Sequence, residues 1–190
     1  MQRKYVLDTN AYAILFQMPR GESFLRLQEK IKIDGVLKFF LPEIVSMEIH
    51  SVIGKYRRGS VSEANTSCGR LFSGNDGIAS CINICHTARR PRMKGKVFKA
   101  LQKMMDDIEN QNGDIQATLL PLGQSELNRG KDFLRQHAHR YSFGSHDALV
   151  AGTVSVALAA GDSLTLVTSD RGLKALCKDN NIDVFDPLLG

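Results

Sequence analysis

Short apolar runs alternate with segments of helical periodicity along almost the whole chain. No other feature of the sequence limits the fold as much. Tyr5–Leu7, Val36–Leu41, Ile115–Leu120, Leu164–Val167 and Asp183–Phe185 read as strands. Ala11–Gln17, Glu22–Ile33, Glu43–Arg58, Val97–Glu109, Ser125–His137, His146–Ala160 and Arg171–Cys177 read as helices. Phe24, Leu25, Leu27 and Ile31 are the apolar positions of the second helix. Pro42 suits the first helical position of the third, and Ser145 is placed to cap the long small-residue helix after it. Alternation of this kind argues an α/β fold, with a mainly parallel central sheet and helices on both faces.

The middle of the chain breaks the pattern. From Gly59 to about Asp76 the composition shifts to Ser, Gly, Asn and Thr and reads as a loop, and Ile78–His86 then looks helical. Between Gly54 and Lys103 eleven Lys and Arg face only Glu63 and Asp76, a net +9, so the chain's +5 leaves −4 for the remainder. A basic stretch beside an acidic remainder suggests a polyanion partner for the middle, a solvated surface being the plain alternative. With 190 residues, 43% of them hydrophobic, the expectation is a single domain over residues 1–190, with a loop and basic helical insertion at about 60–93. No apolar run approaches a membrane span and the N-terminus has no secretory apolar segment, so a cytoplasmic protein with no membrane partner is expected. Four cysteines are too few for a disulfide framework.

Four acids are hard to explain as surface charge. Asp8 in "VLDTN" and Asp170 in "LTLVTSDRG" each end an apolar strand at a helix start. In an open α/β sheet such positions line the crevice where ligands bind, although each acid is equally well placed to cap its helix. Glu48 lies on the apolar stripe of Ile44, Val45, Ile49, Val52 and Ile53, where a carboxylate loses hydration unless something compensates it. Asp147 opens "SHDALVAGTVSVALAA", a helix polar only at its N-terminal end, where the helix dipole alone could explain it. Carboxylates gathered in one crevice repel each other and raise each other's pKa unless a cation lies among them. Oxygen ligands suit Mg²⁺ or Mn²⁺, and such an ion supports in-line phosphodiester displacement. An acidic metal crevice together with a +9 segment is what a nuclease requires.

"VLDTN", "PEIVSMEI", "HDALVAGT" and "LVTSDRG", in that order from Tyr5 to about Pro187, resemble the four acidic signatures of the PIN-domain nucleases. Many of these are VapC-type toxins of toxin–antitoxin pairs. The resemblance implies a three-layer α/β/α PIN-like fold and Mg²⁺- or Mn²⁺-dependent cleavage of single-stranded RNA. It carries Asp8, Glu48, Asp147 and Asp170 over as metal-binding catalytic acids. Asn10, Thr168 and Ser169 match polar positions that help hold the acids or a water. It leaves room for an antitoxin protein and for a homodimer. Arg57, Arg58, Arg89, Arg90, Arg92, Lys94 and Lys96 are the candidate RNA-binding residues of the middle, which from about Ser60 to Met93 is longer and more basic than compact toxins of this family have. It could serve as an RNA-binding arm, a partner surface or an insertion.

Other chemistries find less support. Cys81 and Cys85–His86, with Cys68 upstream, do not have a zinc pair's spacing, and Ile78, Cys81, Ile82 and Cys85 fall on one apolar helix face. His137, His139, Arg140, Tyr141 and Phe143 ahead of Asp147 read either as a base-stacking surface or as a loop closing over a helix N-terminus. Neither a Gly-x-Gly-x-x-Gly run nor a P-loop is present. An aspartyl-phosphate enzyme would need a second Asp where Asn10 stands. The remaining alternative is a non-catalytic PIN-like module that binds RNA or protein.

Overall fold

The computed structural model describes residues 4–17, 19–59, 65–67, 71–74, 77–80, 84–86 and 92–189, and of residues 65–86 the backbone alone. Arg89, Arg90, Cys68 and Cys81 lie outside the described residues. The chain divides into two compact units, Met1–His50 with Gln102–Gly190, and Ser51–Leu101.

The first unit is built on a parallel sheet. β1 (Lys4–Leu7) lies at its centre between β3 (Val36–Pro42) and β9 (Leu164–Val167). β8 (Ile115–Leu120) pairs with β3, and β10 (Val184–Phe185) pairs with β9. All these pairings are parallel; β2 (Lys32–Ile33), antiparallel to β3, is the exception. The chain moves outward from β1 to β3 and β8, then returns to the other side of β1 for β9 and β10. The strand order therefore reverses at β1, and the carboxyl ends of β1 and β9 flank the crevice in which open α/β sheets bind ligands. Val6, Leu7, Leu166 and Val167 are fully buried, as strands covered on both faces require.

The helices of this unit are α1 (Thr9–Ile14), α2 (Glu22–Ile31), most of α4 (Gly95–Glu109), α5 (Gln124–His137), α6 (Ser145–Ala159), α7 (Arg171–Asp179) and the first half of α3 (Glu43–Arg58). The three-layer α/β/α architecture is the one anticipated. α5 and α6 cross closely because Gly130 and Gly152 meet: a Cβ on Gly152 would stand 2.9 Å from both Glu126 O and Gly130 N. Among the described residues no helix is long and apolar enough to cross a membrane.

Several local expectations are corrected. Where Ile78–His86 was expected to be helical, the described residues form β6 (Gly77–Ser80) and β7 (Ile84–His86). The expected loop likewise contains β4 (Asn65–Ser67) and β5 (Leu71–Gly74). β4 pairs with β7 and β5 with β6, both antiparallel. A short apolar run cannot be assigned to helix or strand by periodicity alone, and antiparallel pairing satisfies its backbone here. α2 ends two residues early because Lys32 and Ile33 are taken into the sheet, and Leu25 is 58% exposed rather than core. Gly144, not Ser145, is the N-cap of α6. In the second unit the end of α3 is tied to the chain ahead of α4, where Arg57 Nη1 donates to Met93 O at 2.9 Å and Met93 N to Tyr56 O at 3.0 Å.

Candidate active site

Asp8 follows the last residue of β1 and caps α1: its Oδ1 accepts from Ala11 N at 2.7 Å. Its other oxygen accepts the hydroxyl proton of Thr168, a fully buried residue immediately after β9. The Thr168 oxygen in turn accepts from Asp170 N at 3.1 Å, and Asp170 caps α7 by accepting from Leu173 N at 2.7 Å. Capping and crevice lining are therefore not alternatives. The same hydrogen bond that satisfies the helix start holds each carboxylate at the end of its strand.

Glu48 and Asp147 complete the acidic side. Asp147, in the first turn of α6, accepts from Gly144 N at 2.9 Å. Glu48 is less enclosed than its sequence position suggests, with a side chain 38% exposed. Ile44, Val52 and Ile53 are half-buried, so the buried face of α3 passes through Val45 and Ile49 and leaves Glu48 at its margin. Thr9 donates to Glu48 Oε2, and Nε2 of His146 stands 3.0 Å from the same oxygen. That nitrogen is buried and, among the described residues, has no other partner. Thr9 and His146 are thus parts of the site that the acidic signatures did not disclose. The one sequence signal for His146 is its place beside Asp147 in an otherwise apolar helix start.

Asp8, Thr9, Glu48, His146 and Asp147 line one cavity of about 110 Å³, with Asn10 at its edge. Asp170 is set apart: with Asn10 and Ser169 it lines an adjoining cavity of about 650 Å³. Its charge still reaches Asp8. Burial foremost, then the charges of Asp147 and Asp170, push the Asp8 carboxyl up to about 6, against the lowering hydrogen bonds from Thr168 and Ala11. Ser169 turns away, donating to Asp186 Oδ1 at 2.7 Å.

The donor set is all carboxylate on the acidic side, which suits a hard divalent cation, and an ionised Asp8 beside two further acids favours one. Among the described residues no three His, Cys, Asp or Glu side chains are gathered as a ready-made metal site. Mg²⁺ in particular takes one or two carboxylates and keeps several waters, so the residues fit that mode of binding rather than an all-protein cage.

Of the basic residues expected to meet RNA, Arg58, Arg92, Lys94 and Lys96 are exposed, and Arg57 is half-buried through its bond to Met93. The loop of His137 to Phe143 closes on α7: Tyr141 donates to Asp179 at 2.7 Å and Arg140 pairs with it at 3.1 Å. Cys85 and His86 stand on β7.

No protein-family model matches the sequence. No curated protein matches it either. Solved structures do. A chain in the crystal structure of FitAcB from Neisseria gonorrhoeae superposes with a TM-score of 0.57 at 15% identity, over 98% of this chain and 99% of that one. A chain in the structure of DNA-bound VapBC from Salmonella typhimurium gives 0.55 at 12% identity, over 97% and 98%. At these identities the likeness is one of fold.

Proposed function

We propose that the chain is an Mg²⁺- or Mn²⁺-dependent endoribonuclease acting on single-stranded RNA, and the toxin of a toxin–antitoxin pair in the cytoplasm. The observation that carries this reading is Asp8: a buried carboxylate at the strand-order reversal, pushed up to about 6 by burial and by the like charges of Asp147 and Asp170. Asp8, Glu48, Asp147 and Asp170 would hold the ion. Bound there, it supplies charge stabilisation for phosphate oxygens and a more acidic water for attack. Thr168 keeps Asp8 and Asp170 in register. Thr9 and His146 restrain Glu48, and Asn10 stands at the mouth. Arg57, Arg58, Arg89, Arg90, Arg92, Lys94 and Lys96 supply the positive charge for the phosphate backbone. The whole-length fold likeness to chains of FitAcB and VapBC, together with the four PIN-type acidic signatures, supports an antitoxin protein as partner; a second copy of the chain is proposed as a further one.

A non-catalytic RNA- or protein-binding module is the second reading, favoured by the absence of a ready-made three-ligand cluster among the described residues. One assay separates the two. Wild-type protein should cut single-stranded RNA with Mn²⁺ and not with EDTA, and Asp8→Asn should be inactive; cutting by Asp8→Asn at the wild-type rate would overturn the site.

A further inference from the structure

The larger cavity extends from Asp170 well past the other acids, and its size and lining suit a ligand. Its volume of about 650 Å³ is within the usual range for small-molecule sites, about 300–1,000 Å³. Its lining combines apolar Ala13, Ile14 and Leu188 with polar Asn10, Gln17, Ser142 and Arg171. Among the described residues the side chains of Asn10, Gln17 and Arg171 make no hydrogen bond or ion pair, so their donors and acceptors are free for a ligand.

Ile14 belongs to the core, and the exposed part of the apolar lining, Leu188, is held in place as well. Leu188 is 58% exposed, yet its backbone is fixed from two sides. Asp186 accepts from Leu188 N at 3.0 Å and is itself gripped by Ser169 and Lys174. Arg26 of α2 donates to Pro187 O at 2.8 Å and to Leu188 O at 3.4 Å.

Asn10 borders both cavities, and Asp170 joins the larger one to the acid cluster through Thr168. A strand whose phosphate reached the acids would place a neighbouring nucleotide in this pocket. We infer that the pocket seats the base of the nucleotide next to the cleaved bond, with Leu188 and Ile14 against the ring and Arg171 and Gln17 reading its polar edge. An apolar face with free amide and guanidinium groups is the chemistry that recognises an unpaired base. The inference rests on the ribonuclease reading above and assigns that site its sequence preference.

Fluorescent RNA pentamers of A, C, G and U test it, by anisotropy in EDTA and as substrates with Mn²⁺. Wild type should separate its best and worst pentamer by about tenfold or more in Kd. Arg171→Ala and Gln17→Ala, both at exposed positions, should narrow that spread to about twofold and raise KM more than they lower kcat. Arg171→Lys should restore overall affinity without the selectivity, because an ammonium lacks the planar fork. An unselective wild type, or a spread unchanged in the variants, overturns the inference. So does an equal loss on all four pentamers in Arg171→Ala. Selective binding without cleavage would sink the nuclease reading and leave the pocket standing; cleavage without selectivity would do the reverse.

Discussion

The hydroxyl of Thr168 donates to the carboxylate of Asp8 across 160 residues of sequence, joining the ends of two adjacent parallel strands. The same oxygen accepts the Asp170 amide. Thr168→Val keeps the shape and removes both bonds, leaving a buried acceptor and a half-buried donor less satisfied. Stability should fall by about 1–3 kcal/mol in urea unfolding, and cleavage should fall with it. Thr168→Ser should recover most of both.

The burial of Asp8 has a consequence for stability that depends on pH. Its folded-state carboxyl is raised from 3.8 to about 6, so between those pH values the folded protein binds the proton more tightly than the unfolded chain. The stability associated with that proton is fully present below about pH 4, declines as pH rises to about 6 and stays lost above it. In EDTA, Asp8→Asn should remove this decline and unfold later than wild type at pH 7, by up to about 3 kcal/mol, while losing cleavage. Asn still caps a helix, so α1 should persist. A variant less stable than wild type at pH 7 would mean that burial does not strain the acid.

His146 restrains Glu48 through a contact that leaves both side chains partly exposed. His146→Ala should therefore change stability by less than about 1 kcal/mol. Its effect should be on the ion: Mn²⁺ titration, read directly by calorimetry, should show weaker binding because Thr9 alone no longer orients the carboxylate.

Gly172 lies where the loop ahead of α6 crosses the start of α7, and a Cβ there would stand 1.9 Å from Ser142 O. Backbone cannot yield as a side-chain tip can. Gly172→Ala should destabilise by about 3 kcal/mol, more than Gly152→Ala, whose nearest clashes are at 2.9 Å. Thermal unfolding of the two variants gives the order.

Charge reversal of Arg89, Arg90 and Arg92 to Glu should weaken RNA binding at every sequence alike. The slope of log K against log salt should flatten by about 2 if all three meet phosphates. An unchanged slope would remove the basic stretch from the RNA surface.

The sequence by itself determined the element order of the first unit apart from the short antiparallel β2, the parallel strands and the strand-end positions of Asp8 and Asp170. Apolar runs, helix periods and capping residues act over a few neighbours and can be read as a string. Where local signals conflict or fall short, tertiary structure decided. Ile78–His86 has a helical spacing, but its described residues pair as strands, because strand partners outside the run supply hydrogen bonds that periodicity does not encode. The helical wheel placed Glu48 among apolar residues; the packing of α3 left it 38% exposed and matched with Thr9 and His146. The pKa of Asp8, the hydroxyl of Thr168 shared between two acids and the pocket walled by Leu188 arise from groups distant in sequence. Burial and Coulomb interaction depend on distance through space, and only the folded chain sets those distances.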